Sequence, residues 1–399
     1  MNILTFSCSL RKFFVTLRLS LLLTKPQQKH LSNILISTTQ SGFDGKIKNI
    51  PELSMCNIHR TSVGKFLSES PWSTTLVQNS YQLYVIAQIT IQARKTGCPI
   101  HVIIDDTIAE KTKPSSKALR PIAGCGFHYS HLKGKRVYGH QIVCVLLECG
   151  DLRLPYCMEI YNKAEQSKIQ MACNIIKALP DFPTAVYVLA DSWYSSESII
   201  KATRSRGFEY IGALKANRVL YYPGGPKLGN KVKTFVRTLT KDDVHLVTVG
   251  KTRYWVHCFK GYIKKLPRSA KILISWPYDK LFEEGAAHLF VSTEENPDTY
   301  ILKTYTCRWR IEVFFRDSKM QLDLDNYQVR SATGIKRFLI LIMLSYAYCI
   351  SINASSSGSL SESRKTSRKE LKQSLVSWVY EQATNGVPLS KVNKNLGIA

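Results

Sequence analysis

The sequence predicts a mixed α/β fold, and three observations carry the prediction. From His101 to Leu214, short β-branched runs alternate with helix-periodic stretches. Residues 1–98 instead have a helical texture punctuated by Pro26, Gly42, Gly45, Pro51 and Pro71. Residues 215–299 string together several strand-like runs separated by turn residues. The expected organisation is a helical N-terminal domain over 1–98, then an α/β core over 99–353 with a β-rich insertion at about 215–299. A Ser-rich linker and a basic C-terminal helix occupy 354–399.

Taken in order, the core opens with a buried strand at His101–Asp105. Gly139–Glu148 and Leu152–Ile160 flank Gly150-Asp151 and read as a hairpin with a tight turn. Ala164–Leu179 is helix-periodic, Thr184–Ala190 is a strand ending at Asp191, Ser195–Arg206 is helical and Phe208–Leu214 is a further strand. This order of strand, hairpin, helix, strand, helix, strand resembles the core of the ribonuclease-H-like nucleases. Within 215–299 the strand-like runs are Val244–Val249, Arg253–Phe259, Lys271–Trp276 and His288–Ser292. Two helices follow, Tyr300–Met320 and Ser331–Ile352, and the chain closes with an amphipathic helix carrying Leu371, Leu375, Trp378 and Val379.

Composition narrows the class of partner. The 399 residues carry 55 Lys+Arg against 29 Asp+Glu, a net charge of +26, which suits a polyanion. The 44% hydrophobic content excludes disorder. Eleven cysteines, an odd count with no CxxC pair, speak against a disulfide framework and a zinc module and for a reducing cytosol. Phe13–Leu23 is apolar but interrupted by Arg18, so an amphipathic helix is expected there rather than a signal peptide. Phe338–Ile352 is short for a bilayer span and reads as a buried core helix, so no membrane association is expected.

The chemistry concentrates in residues 305–319, Tyr-Thr-Cys-Arg-Trp-Arg-Ile-Glu-Val-Phe-Phe-Arg-Asp-Ser-Lys. Tyr305, Arg308, Glu312 and Lys319 are three, four and seven apart, so a helix would project all four from one face. Arg308 and Glu312 alone could be an ordinary i,i+4 pair. The spacing Tyr-x2-Arg-x3-Glu-x6-Lys resembles, residue for residue, the signature of bacterial insertion-sequence transposases with a DDE triad. The resemblance implies that Glu312 is the third metal-binding carboxylate and that Tyr305, Arg308 and Lys319 contact phosphates at the element end.

Two more carboxylates are then expected at the ends of buried strands, because two metal ions need rigid supports. Val-Ile-Ile-Asp-Asp-Thr (102–107) offers a pair, and the family's pattern of an aspartate directly before a threonine favours Asp106 over Asp105. Asp191 ends the apolar run at 186–190; its ordinary alternative is a helix N-cap. The implied site is Asp106, Asp191 and Glu312 holding two Mg²⁺ ions, with Mn²⁺ as a substitute. Such a site would cleave the ends of an insertion sequence and join the 3′-hydroxyls to target DNA.

Lys133, Lys135 and Arg136, in a Gly-, His- and Lys-rich loop at 126–136, are further expected phosphate contacts. His128 and His131 lack a nearby third ligand, which disfavours zinc there. Trp255 and Trp276 could stack on an unpaired base, with core packing as the alternative. The expected partners are double-stranded element ends and target DNA, the expected form is a homodimer assembled on DNA, and the expected location is the bacterial cytoplasm at the nucleoid. Two other functions share part of this pattern: a ribonuclease-H-like endonuclease, and a transposase relic that only binds DNA.

Overall fold

The computed structural model describes residues 7–54, 58–130, 132–222, 225–264, 266, 270–352 and 359–396. Helices α1 (Cys8–Thr16), α2 (Leu19–Leu22), α3 (Lys25–Thr39), α4 (Ile50–Leu53), α5 (Arg60–Ser68) and α6 (Thr74–Thr96) precede the first strand. The helix expected over Phe13–Leu23 is in fact broken: Arg18 adopts a left-handed φ of 52° between α1 and α2. Ser7 caps α1 by accepting from the Leu10 N–H, and Ser73 caps α6 by accepting from Leu76.

The α/β part runs β1 (Ile100–Glu110), β2 (Gly126–Ser130), β3 (Lys135–Cys149), β4 (Leu152–Ile160), α7 (Lys168–Ala178), β5 (Val186–Ala190), α8 (Glu197–Arg204) and β6 (Glu209–Ala213). It continues through β7 (Val219–Tyr221), β8 (Asn230–Lys231), α9 (Val232–Val236), β9 (His245–Val249), β10 (Thr252–Ile263), β11 (Ala270–Pro277) and β12 (His288–Ser292). Helices α10 (Asp298–Thr306), α11 (Trp309–Leu322), α12 (Ala332–Ile352), α13 (Leu360–Thr384) and α14 (Leu389–Leu396) complete it.

All twelve strands join one sheet in the order β2-β3-β1-β5-β6-β12-β11-β10-β7-β8, with β4 on β3 and β9 on β10. Around the centre the order is β4-β3-β1-β5-β6. Strand β3 is antiparallel to both β1 and β4, whereas β5 and β6 run parallel to β1. The β-rich segment does not form a sheet of its own. Phe290, Val291 and Ser292 of β12 pair with Ala213, Gly212 and Ile211 of β6, which satisfies backbone groups that would otherwise stand unpaired at an edge.

The hairpin expected around Gly150 is present, and Gly150 takes the φ of +58° that its turn demands. Strand β1 outruns its apolar stretch because β3 goes on pairing with it to Glu110↔Gly139. At that point a Cβ on residue 139 would lie 2.2 Å from the Ala109 carbonyl oxygen, so only glycine fits.

Helix α12 is buried from Ile335 to Cys349 almost without interruption and packs among α3, α5, α6, α13 and β4. Among the described residues it is the one helix long and apolar enough to cross a bilayer, but most of it lies inside the protein. Its one buried cation, Arg337, ties it to the N-terminal helices. The guanidinium donates to the carbonyls of Phe66, Leu67, Ser70 and Trp72 at 2.7–3.2 Å and to Thr74 Oγ1 at 3.1 Å, and lies 4.1 Å from the Trp72 ring centre. The Arg337 donors thereby satisfy the carbonyls at the α5 C-terminus and in the turn into α6. Arg337→Ala strands them in a dry core, and urea unfolding is expected to show a loss of about 3–5 kcal/mol. Arg337→Lys restores only part, because an ammonium cannot reach five acceptors. A loss below about 1 kcal/mol for the alanine variant would mean the clamp is dispensable.

Candidate active site

The parallel pairing of β1 with β5 ends at Ile104↔Ala190. The next residue of each segment is an aspartate, so Asp105, midway along β1, and Asp191, directly after the carboxyl end of β5, stand side by side where the parallel pairing stops. Asp191 is not a helix cap. Ser196 caps α8, while Asp191 Oδ1 accepts from the backbone N–H groups of Trp193 at 2.9 Å and Tyr194 at 3.2 Å.

Opposite them lies the junction of α10 and α11. The helix expected as one piece over Tyr300–Met320 is two, with a tight turn at Cys307–Arg308. There the N–H groups of Cys307, Arg308, Arg310 and Ile311 each bond three residues back rather than four. Tyr305 therefore belongs to α10, and Arg308 stands at the N-cap of α11. The turn aims Arg308 at the sheet. Its Nη1 donates to Asp105 Oδ2 at 2.8 Å and to Glu312 Oε1 at 3.3 Å, so a single guanidinium links the strand carboxylate to the helix carboxylate.

The electrostatics show how crowded this corner is. Burial pushes the Asp105 carboxyl up to about 7, and Asp191 and Glu312 add to the rise, while the Asp106 N–H and Arg308 oppose it. Burial also raises the Tyr305 hydroxyl to about 12, next to Arg308, Asp191 and Asp105, and its ring packs on Phe290 at 4.6 Å.

Asp106 is placed differently from its neighbour. Strand alternation turns it to the opposite face of β1. There it accepts from Lys168 Nζ at 2.7 Å, the Tyr194 hydroxyl at 2.9 Å and Gln141 Nε2. The acid that faces Glu312 across Arg308 is Asp105. The apolar run could not reveal this, because β1 continues past both acids and its outward edge is set by β3.

Lys319 donates to the Ile108 carbonyl at 2.9 Å, which fastens the far end of α11 to β1. Lys133, Lys135 and Arg136 are exposed at the β2–β3 turn, and Lys133 pairs with Glu110 at 2.7 Å. His128 lies beside Gln141 and is held below the usual imidazole range mainly by burial, whereas His131 is outside the described residues. Trp276 is fully buried and belongs to the core; Trp255 stacks on Tyr278 at 6.0 Å.

The sequence reading missed Lys168, Trp193 and Tyr194. Lys168 sits 4.0 Å from the Trp193 ring centre, and Trp193 keeps 39% of its surface exposed beside Asp191. The signal that could have found them was the Trp-Tyr pair in Asp-Ser-Trp-Tyr (191–194).

No curated protein sequence matches the chain. A cryo-EM structure of the piggyBac transposase synaptic complex with hairpin DNA is similar in fold, with a TM-score of 0.50 at 12% identity over 94% of this chain and 76% of that one. The family model described as the transposase DDE domain matches residues 96–348, which spans both strand aspartates, Arg308, Glu312 and most of the sheet. The chain belongs to the transposase DDE domain family.

Proposed function

We propose that this DNA transposase holds two divalent metal ions on Asp105, Asp191 and Glu312, with Asp105 in the place that the family's sequence pattern assigns to Asp106. The observation that carries the assignment is the side-by-side emergence of Asp105 and Asp191 from paired parallel strands, with Arg308 joining Asp105 to Glu312. The strand order β4-β3-β1-β5-β6 supports a ribonuclease-H-like core.

The donor set fits hard divalent cations such as Mg²⁺ or Mn²⁺, which take carboxylate oxygens. Burial and mutual repulsion raise Asp105, an excess of negative charge that a cation relieves. Held by Asp105, Asp191 and Glu312, such ions would supply Lewis-acid charge for in-line phosphodiester displacement. The chain's own residues do the positioning. Arg308 keeps Asp105 and Glu312 in reach of one another, Lys319 anchors α11, and the Lys168–Asp106 pair braces β1 from the other face.

Element ends and target duplex would lie along the basic surface. Lys133, Lys135 and Arg136 are exposed and would meet phosphates there, and Tyr305 and Arg308 would border the scissile position, with Lys319 beyond them. The signature around Glu312 supports membership of the insertion-sequence group, and with it a homodimer assembled on DNA in a bacterial cytoplasm. The apolar α12 does not argue against this, since it is core.

Cleavage of a labelled linear DNA carrying the gene's flanking inverted repeats, with Mg²⁺, tests the reading. Asp105→Asn, Asp191→Asn and Glu312→Gln are each expected to lower the rate by about 10³-fold or more, with DNA binding retained. Asp106→Asn should lower the melting temperature by leaving the Lys168 ammonium unpaired, and cost only about 10-fold in rate. An inactive Asp106→Asn beside an active Asp105→Asn would reverse the assignment. Native protein that binds the ends but never cuts would favour the relic, and cutting of any duplex would favour a general endonuclease.

A second outcome concerns the basic loop. Replacing Lys133, Lys135 and Arg136 together by Ala should flatten the log–log dependence of DNA affinity on salt by about 2–3, since each phosphate neutralised by a cation accounts for a slope of about 0.9. An unchanged slope would remove the loop from the interface.

A further inference from the structure

A second cluster of ligand-type side chains lies on the same face of β1 as Asp105. Side chains alternate along a strand, so His101 shares that face, four residues or about 13 Å down the strand. His101 pairs across the ladder with Glu148 of β3, and its Nδ1 lies 3.1 Å from Glu148 Oε2. Cys307, the residue before Arg308, closes the group. A His101 ring nitrogen, a Glu148 carboxylate oxygen and Cys307 Sγ all lie within 4.8 Å of one another.

Three features set this cluster apart from an ordinary buried ion pair. His101 and Glu148 are 9% and 3% exposed, and the imidazole lies between Glu148 and the Cys307 thiol, with Nε2 making no other hydrogen bond among the described residues. A buried imidazole flanked by a carboxylate and a thiol is held either as a charged pair or by an ion that all three ligate. Glu148 is also divided in function: Arg153 at 3.0 Å and Arg310 at 3.5 Å hold its Oε1, leaving Oε2 on the His101 side. The donors themselves are one imidazole nitrogen, one carboxylate oxygen and one thiol sulfur. Thiolate and imidazole select zinc-like ions over magnesium. Tetrahedral donors at about 2.0–2.3 Å from an ion stand roughly 3.5 Å apart, within a small side-chain rotation of the observed spacing.

We propose that His101, Glu148 and Cys307 form a zinc-type metal site, separate from the Asp105–Asp191–Glu312 carboxylates, that fastens the α10–α11 turn to the sheet. One water completes four-coordination. Binding replaces the thiol proton with the metal and leaves the net redox state unchanged. Since Cys307 adjoins Arg308, the site fixes the turn from which Arg308 reaches Asp105. The three ligands come from β1, β3 and the helical turn, 47 and 159 residues apart, so no local spacing motif announces them.

The test uses the full chain, stripped with chelator and then dialysed against Zn²⁺ in excess Mg²⁺, with retained metal measured by elemental analysis. The native protein is expected to keep one Zn²⁺ per chain and to gain thermal stability with it. Co²⁺ in place of Zn²⁺ should give a thiolate-to-metal charge-transfer band. Cys307→Ser and His101→Gln should lose the retained Zn²⁺ and the thermal gain, and Cys307→Ser should lose the band. Far-ultraviolet circular dichroism of the stripped variants serves as the check that they fold. Asp105→Asn combined with Glu312→Gln should keep the zinc, which separates this site from the proposed cleavage site whatever DNA cutting shows. Native protein that retains no Zn²⁺, or folded Cys307→Ser and His101→Gln variants that retain it as fully as the native chain, would overturn the proposal.

Discussion

Everything at the site depends on one guanidinium. Arg308 reaches from a helix to a sheet, and its guanidinium bonds both a β1 acid and a helical acid. Burial pushes the Asp105 carboxyl up to about 7, the neighbouring acids add to the rise, and the Arg308 cation beside it opposes it. The tight turn at Cys307–Arg308 is what aims that cation. An uninterrupted helix would carry Arg308 round with the regular α twist. The structure uses the shortened turn to set the angle instead.

The sheet provides the second fixed point. Because β1 and β5 are parallel and in register up to Ile104 and Ala190, the positions of Asp105 and Asp191 follow from backbone hydrogen bonds rather than from side-chain packing. Behind them, Lys168, Tyr194 and Gln141 occupy Asp106 completely enough that the two neighbouring acids have distinct surroundings. One meets a lysine; the other meets two more carboxylates and an arginine.

Much of this was legible beforehand. The hairpin around Gly150, the strand ending at Asp191 and the spacing of Arg308 and Glu312 all rest on local pattern, and local pattern survives folding. Which of Asp105 and Asp106 faces α11 was not legible, because alternation says that they face apart but not which face α11 covers. The break between α10 and α11 was hidden too, since Cys307 and Arg308 keep helical dihedrals and carry no glycine or proline to mark it. The β-rich region was correctly read as strands, yet their pairing partner, β6, lies about 75 residues away from β12, and long-range pairing leaves no mark on composition. The cluster of metal-ligand side chains at His101 was invisible for the same reason.

The single sheet has a mechanical consequence. Backbone pairing links the strands from β2, beside the exposed basic turn, through β1 and β5 to those beyond β12. The basic turn and Asp105 therefore rest on one backbone framework, with Asp191 directly beside it. Helix α11 is tied to that framework at both ends, by Arg308 to Asp105 and by Lys319 to the Ile108 carbonyl, so a load taken up at either end of the helix passes directly to β1.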